Sequence, residues 1–217
     1  MTDYALRRRI MVDSQVRTAD VTKFPIIDAM LSIPRERFVP SGRREAAYVG
    51  ENVPIAPSRV VLEPRTIAKM LDAIDIQPTE LVLDVGCGLG YSAALIARLA
   101  EAVVAVEDDP ARAREAEQAL SDAGIDNVAV VRCELAEGAP KHGPYDVITV
   151  QGAVETMPEA ILDQLKEGGR IGCIFQEGRL QVCKIGYKVG GKVNWRPAFH
   201  AGAPVVPGFE AKRSFVL

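Results

Sequence analysis

The stretch LVLDVGCGLGYSAAL, residues 81–95, decides the fold. A run of apolar residues includes the acid Asp84, and three glycines follow within five positions before a helix-forming segment begins. Glycines between a strand and a helix let a ligand lie against the backbone. The stretch therefore predicts a buried strand, a ligand-binding turn and a helix, in that order.

The composition is that of a soluble globular protein. The chain has 217 residues, of which 48% are hydrophobic and 25% are charged, and this length predicts one domain. The net charge of −3 gives no indication of a nucleic-acid or membrane partner. No apolar run has the length of a signal peptide or a membrane span, so the sequence predicts a cytoplasmic protein.

The cysteines and histidines favour neither a disulfide framework nor a metal site. Cys87, Cys133, Cys173 and Cys183 lie in apolar surroundings without C-x-x-C spacing, which is typical of reduced thiols in a core. The two histidines are too few for a multi-histidine site. We therefore expect no bound metal.

The N-terminal part of the chain has a helical pattern followed by a loop. In residues 1–40, Asp20 is expected to cap a helix through VTKFPIIDAMLSI. Residues 41–63 contain glycines, prolines and short apolar pairs, which predict a loop with brief strands, and a helix is expected from Pro64. The charged run RER at residues 35–37 could steer an acidic peptide, although such a run is more typical of a solvated helix end.

From LVLDV onward, strands and helices alternate, which predicts a parallel sheet with helices on both faces. One helix is expected to begin at Asp109 and end at Gly124, and Thr156 and Glu159 have the spacing of a capping box for a later helix that runs to Lys166. The segment LQVCKIGYKVGGKVNWRPAF instead predicts an antiparallel hairpin at the edge of the sheet. The expected buried strands are LVLDV, AVVAVE, NVAVV, DVITV and RIGCIF.

The spacing of the glycines distinguishes between nucleotide cofactors. A dinucleotide turn has the pattern G-x-G-x-x-G, whereas this chain has G-x-G-x-G, with Tyr91 at the position of the last glycine. Asp84 would repel a pyrophosphate and attract an ammonium or sulfonium group. Glu107, at the end of the second strand, can accept hydrogen bonds from ribose hydroxyls. The combination favours S-adenosylmethionine; the alternative is a tight turn in which Asp84 only caps the next helix.

On these motifs the chain resembles the class I S-adenosylmethionine-dependent methyltransferases, and within them the protein-L-isoaspartate O-methyltransferase family. The resemblance covers about residues 9–185 and includes IPRERFVP, LEPRTIAKML and YDVITVQGAVETMPEAILDQLKEGGRI. It implies an α/β fold with a doubly wound, mostly parallel, seven-stranded Rossmann-like sheet, helices on both faces and an antiparallel C-terminal hairpin. It also implies a single methyltransferase domain, residues 1–217, in which residues 1–75 form a helical acceptor-side segment and residues 76–217 form the cofactor-binding core.

The resemblance also implies which residues contact the cofactor. Residues 150–153 would lie beside the transferred methyl group, at the carboxyl end of the fourth strand. Glu134 stands where the family usually has the aspartate of a G-D-G turn near the adenine, but the two glycines are missing here. The residues expected at the cofactor are Asp84, Gly86, Cys87, Gly88, Gly90, Glu107, Asp108, Glu134, Leu135 and Gln151.

The chain departs from the family at SRVVLEP, residues 58–64, where the family typically has G-x-T-I-S-x-P. Val60 and Leu62 stand in place of the threonine and the serine, and the serine is thought to lie beside the reacting carboxylate in the family. Either another donor, such as Ser58 or Arg59, takes over, or the two apolar residues form a pocket for a less polar acceptor. These four residues are the acceptor-side candidates, and no catalytic residue is assigned.

Two C-terminal features could border the acceptor. Trp195 and Phe199 could line a cleft, although aromatic residues of an edge strand more often cover a core. The segment HAGAPVVPGFEAKR, residues 200–213, is rich in proline and glycine, and it is expected to be either a lid or a plain surface loop.

The expected function is methylation of isoaspartyl carboxylates in damaged proteins, with S-adenosyl-L-methionine as cofactor. The expected partner is a protein or peptide substrate with isoaspartyl residues, without nucleic acid or membrane, and the enzyme is expected to be a monomer or weak dimer. Two alternatives stay open: a methyltransferase with another small-molecule or macromolecular acceptor, and a cofactor-binding module without turnover. A nicotinamide dehydrogenase is more distant because of Tyr91.

Overall fold

The computed structural model describes residues 3–211. Its α-helices are α1 (Tyr4–Met11), α2 (Phe24–Ser32), α3 (Pro64–Ile74), α4 (Tyr91–Ala97), α5 (Pro110–Asp122) and α6 (Glu159–Asp163). Its strands are β1 (Val53–Ala56), β2 (Arg59–Val61), β3 (Leu81–Val85), β4 (Ala102–Glu107), β5 (Val128–Arg132), β6 (Tyr145–Val154), β7 (Leu165–Glu177), β8 (Leu180–Val189) and β9 (Lys192–His200). Within the described range, no helix combines the length and the apolar character needed to cross a membrane.

In the described part of the chain, seven strands form one sheet in the order β5-β4-β3-β6-β7-β8-β9. The pairs from β5 to β7 are parallel, and β8 pairs antiparallel with both β7 and β9. The doubly wound, mostly parallel α/β sheet and its antiparallel C-terminal hairpin are therefore confirmed. The strand order changes direction at β3, between β4 and β6, and open sheets of this kind bind ligands at such a point.

Alternate residues of the central strands face two apolar layers. In β3, Val82 packs in one layer, while Leu83 and Val85 pack in the other. The first layer includes residues of α1 to α4, and the second includes Ile161 of α6 and Phe209. Burial on both faces explains why the parallel strands have nearly continuous apolar sequences.

The N-terminal region contains the expected helices and brief strands, but one predicted cap is wrong. Asp20 instead ends the continuous helical stretch of residues 4–19 in a left-handed conformation, with φ of 65°, and Lys23 occupies the N-cap position of α2. The helix expected from Pro64 is α3. Strands β1 and β2 form a separate antiparallel pair, called here the β1–β2 hairpin, residues 53–61.

The other predicted helix boundaries have mixed outcomes. Asp109 caps α5 by accepting two backbone hydrogen bonds of 2.9 Å, and Gly124 follows the helix with φ of 69°, as expected. The capping box is wrong, because Pro158 occupies the N-cap of α6 and the Thr156 hydroxyl donates instead to a distant backbone carbonyl at 3.4 Å. The helix also stops short of Lys166, which lies in β7.

The segment after β9 packs against the carboxyl end of β6. The Ala153 N–H donates to the Pro204 carbonyl, and the Val206 N–H donates to the Ala153 carbonyl, both at 2.9 Å. Val206 is fully buried, and residues 150–153 are buried below this segment. The interpretation as a plain surface loop is therefore wrong up to residue 211, and the last two residues of the expected loop lie outside the described range.

Candidate functional site

The glycine turn lies between β3 and α4, as predicted. Gly86, Gly88 and Gly90 have φ of 79°, 60° and 95°, a region in which residues with a side chain are strained. The N–H groups of Gly86 and Cys87 donate to the Val106 carbonyl at 2.9 and 3.1 Å. These bonds fix the turn at the carboxyl ends of two adjacent strands.

Asp84 is fully buried at the end of β3 and links three elements. Its carboxylate accepts hydrogen bonds from the hydroxyls of Ser92 and Thr149, at 2.6 and 2.8 Å, and from the Gln151 amide at 2.7 Å. Burial raises the pKa of this carboxyl, and the three hydrogen bonds oppose that increase. Gly90 occupies the N-cap of α4, so the interpretation of Asp84 as the backbone cap of that helix is wrong.

Glu107 ends β4 with its carboxylate directed at the glycine turn. The Gly88 N–H donates to Oε2 at 2.9 Å. Arg59 donates to both oxygens, at 2.6 and 3.1 Å, and Arg112 Nε donates to Oε1 at 2.8 Å. The acid predicted to hold a ribose is therefore beside the turn, but in this structure arginine side chains bind both of its oxygens.

The β1–β2 hairpin lies across the glycine turn. A Cβ added to Gly88 would stand 2.6 Å from Cδ1 of Ile55, and one added to Gly86 would stand 3.3 Å from Nη2 of Arg59. The Arg59 side chain is only 2% exposed, and its Nε has no hydrogen-bond partner among the described residues. The hairpin therefore fills the space beside the turn.

The residues around the turn fit S-adenosylmethionine in kind. The turn permits close approach of a ligand, and Glu107 is an acid of the type that binds ribose hydroxyls. Asp84 supplies a second acid at the neighbouring strand end. Arg59 is the exception, because its guanidinium holds the Glu107 oxygens that a ribose would need.

The other residues expected at the cofactor surround the same turn. Leu135 is buried beside it, and Asp108 accepts a hydrogen bond of 3.0 Å from each of the two arginines that bind the neighbouring acid. Cys87 is buried within the turn, and burial raises the pKa of its thiol well above the usual range. Glu134 is exposed at the end of a loop, and its contact with the adenine stays a prediction.

The acceptor-side candidates point in different directions. Ser58 is exposed and has φ of 56°, a conformation in which a glycine would be unstrained. Arg59 is directed at the glycine turn. Val60 is partly buried, whereas Leu62 is 1% exposed and belongs to the core. Leu62 therefore adds little exposed surface to a pocket in this structure, and a role of Val60 and Leu62 at the acceptor stays a prediction.

A buried charged cluster that the sequence did not predict lies close to these residues. Arg35 is fully buried and Glu36 is 9% exposed, so the interpretation as a solvated helix end is wrong for both. The Arg35 guanidinium lies 4.7 Å from the centroid of the Tyr91 ring and donates to the carbonyls of Ala47 and Leu62 at 2.6 and 2.8 Å. Burial lowers the pKa of Arg35. The apolar residues on both sides of the RER run were the available signal.

Comparison with known proteins connects this site to one family. Residues 7–200 match the family described as Protein-L-isoaspartate(D-aspartate) O-methyltransferase. The protein-L-isoaspartate O-methyltransferase of Koribacter versatilis is 35% identical over 193 residues, which cover 89% of this chain and 87% of that protein. The enzyme of the same name from Methanoculleus marisnigri is 37% identical over 164 residues, covering 76% and 74%.

Solved structures share the fold. A protein-L-isoaspartate O-methyltransferase superposes with a TM-score of 0.79 at 25% identity, over 93% of this chain and 66% of that chain. A Plasmodium falciparum protein solved with S-adenosyl-L-homocysteine gives 0.78 at 18% identity, over 94% and 98%, and this likeness shows the fold alone. Because the family match and the relatives cover most of its length, the chain belongs to the protein-L-isoaspartate(D-aspartate) O-methyltransferase family, whose enzymes use S-adenosyl-L-methionine to methylate isoaspartyl residues of proteins.

Proposed function

We propose that this chain transfers a methyl group from S-adenosylmethionine to the side-chain carboxylate of isoaspartyl residues in damaged proteins. The observation that carries the proposal is the direct bond between the glycine turn and Glu107, in which the Gly88 N–H donates at 2.9 Å. A turn without Cβ atoms and an adjacent acid are what a ribose requires. The acceptor class rests on the family to which the chain belongs.

In this proposal the side chains bind and orient, and they exchange no protons. The cofactor supplies an electrophilic methyl group on a cationic sulfur. An isoaspartyl carboxylate is already ionised at neutral pH, so it needs no general base. Glu107 would hold the ribose hydroxyls and Asp84 would face the cationic amino-acid part. Proximity and the exclusion of water from the site would supply most of the rate increase.

Three further statements belong to the same proposal. Residues 1–217 act as one domain, with residues 1–75 on the acceptor side and residues 76–217 as the cofactor-binding core. The enzyme works in the cytoplasm as a monomer or weak dimer, which cell fractionation and analytical ultracentrifugation would test. The net charge of −3 supports a protein substrate over a nucleic acid.

The test offers methyl-labelled S-adenosylmethionine and two peptides of one sequence, one with an isoaspartyl residue and one with an ordinary aspartyl residue. We expect label in the isoaspartyl peptide alone. Glu107→Gln should lose most of the transfer, and the matched control Glu117→Gln, an exposed acid on α5, should keep it. Equal labelling of both peptides, or of neither by a protein that binds the cofactor, would contradict the isoaspartyl assignment.

A methyltransferase with a less polar acceptor is the second candidate. It is favoured by Val60 and Leu62, which supply no hydroxyl where the family typically has two. The same labelled donor, offered to a cell extract, would place the label in a molecule other than an isoaspartyl protein. Competition by excess isoaspartyl peptide separates the two candidates. The peptide would suppress labelling of the molecule in the extract only if both acceptors use one site.

A further inference from the structure

Arg59 binds two carboxylates at the place where the cofactor ribose would be held. Its guanidinium lies 2.6 Å from Glu107 and 3.0 Å from Asp108, and its side chain is 2% exposed. It also stands against Gly86, at the position that a Cβ on that glycine would contact. One side chain of the β1–β2 hairpin thus binds the Glu107 carboxylate and also lies against the glycine turn.

A ribose and this guanidinium compete for the same oxygens. The Glu107 carboxylate already accepts bonds from Arg112 and from the Gly88 N–H, so the bonds from Arg59 use its remaining capacity. Hydrogen bonds between a cation and a carboxylate are stronger than those from neutral hydroxyls. A ribose therefore replaces Arg59 at a cost in affinity.

The way in which the hairpin holds Arg59 permits its release. Strand β1 has four residues and β2 has three, and their register shifts between Pro54 and Ala56. Ser58 is exposed next to Arg59 and has a left-handed φ of 56°, which is unfavourable for a residue with a side chain. Arg59 Nε lacks a hydrogen-bond partner within the described residues. An unpartnered buried donor is costly and favours a state in which the guanidinium reaches water.

We propose that Arg59 is an internal competitor of S-adenosylmethionine: its guanidinium occupies the ribose side of Glu107 and must leave, with the β1–β2 hairpin, before the cofactor binds. The proposal rests on the proposed function, because it takes the glycine turn to be the cofactor site. Arg59 then sets the cofactor affinity of this chain, and cofactor binding is coupled to movement of the hairpin that also carries the acceptor-side candidates.

The size of the effect follows from the population of the released state. If the hairpin releases Arg59 in about 1–10% of molecules, the apparent dissociation constant is about tenfold to hundredfold larger than that of the released state. Removal of the guanidinium should lower the apparent dissociation constant by the same factor. The competitor acts on binding, so its effect is measured without turnover.

The experiment measures S-adenosyl-L-homocysteine binding by calorimetry to the wild type and to Arg59→Gln, which removes the charge but keeps a polar side chain. We expect Arg59→Gln to bind about tenfold to hundredfold more tightly and Arg59→Lys to fall between the two proteins. Arg65→Gln is the matched control, because Arg65 is an exposed arginine close to the hairpin, 3.4 Å from Glu63. It should bind as the wild type does.

Thermal unfolding of the same proteins separates competition from a general loss of structure. Arg59→Gln should unfold at a lower temperature than the wild type without ligand, because a buried ion pair is broken. S-adenosyl-L-homocysteine should then raise its unfolding temperature by more than it raises that of the wild type. A residue that only stabilised the fold would lower the unfolding temperature with and without ligand and would leave the affinity unchanged or weaker.

The outcomes distinguish this inference from the proposed function. Equal or weaker binding by Arg59→Gln, with measurable binding by the wild type, overturns the competitor and leaves the proposed function standing. Weaker binding would show that Arg59 contacts the cofactor. If the wild type, Arg59→Gln and Arg65→Gln all fail to bind while folded, the cofactor assignment is wrong and the competitor falls with it. Binding by Arg59→Gln alone supports both.

Discussion

Replacing Leu62 with serine, the residue typical of the family at this position, is expected to destabilise the protein strongly. Leu62 is 1% exposed and belongs to the same buried cluster as Phe38 and Ile67. Removing most of a buried leucine side chain costs about 2–5 kcal/mol, and a buried hydroxyl without a good partner adds about 1–3 kcal/mol. We therefore expect the free energy of unfolding to fall by roughly 3–8 kcal/mol, a large share of the 5–15 kcal/mol typical of a domain.

Urea unfolding followed by far-ultraviolet circular dichroism measures this change. Val60→Thr is the matched control, because it writes the other family residue into a partly buried position of the short hairpin, and it should cost less than about 1 kcal/mol. An unfolding midpoint of Leu62→Ser equal to that of the wild type would refute the reasoning. It would show that Leu62 lies outside the core and is free to border an acceptor.

Three further predictions follow from single contacts. Lys23→Met should raise the pKa of Asp75, measured by NMR titration, because the Lys23 ammonium 2.7 Å away lowers it. A carboxyl whose pKa is lowered by folding stabilises the fold at pH values above its unfolded-state pKa of about 3.9, and this stabilisation is lost as the pH falls through its folded-state pKa. The stabilities of the wild type and Lys23→Met should therefore converge in acid. Tyr145→Phe should cost about 1 kcal/mol in urea unfolding at neutral pH, because it removes a hydroxyl that donates to the Ala139 carbonyl at 2.6 Å. Burial raises the pKa of this phenol to about 12, so the hydroxyl keeps its proton there, and an unchanged midpoint would contradict the prediction. Cys133, which is partly exposed, should react first with a chromogenic disulfide reagent, and simultaneous reaction of the four thiols would argue against the described burial.

Local patterns predicted the sheet and the ends of its strands well. Each buried strand carries its own apolar run, and Asp109 and Gly124 mark the two ends of α5 through contacts with adjacent residues. The positions of Asp84 and Glu107 follow from the same patterns, because parallel strands end at one edge of a sheet. These features need only information that lies close together in the sequence.

Contacts between distant segments could not be predicted in this way. Arg59 lies 48 residues from Glu107, in a loop-like segment whose docking on the glycine turn depends on the folded core. Thr156 has the spacing of a helix cap, but its hydroxyl bonds to a segment 54 residues further along. No local pattern indicates that Arg35 is buried, because the carbonyl groups that accept its hydrogen bonds lie 12 and 27 residues away. In each case a tertiary contact replaced the locally favoured one.

A chain shortened at the family boundary would lose part of its own interior. The family match ends at residue 200, yet Val206 and Phe209 beyond it are fully buried. The Phe209 carbonyl also accepts hydrogen bonds from the N–H groups of Glu155 and Thr156, at 2.9 and 3.1 Å. Truncation at residue 200 would leave two cavities over the sheet and would leave these N–H donors without their acceptor. The end of the family match therefore falls inside the folding unit, and an expression boundary belongs at or beyond residue 211.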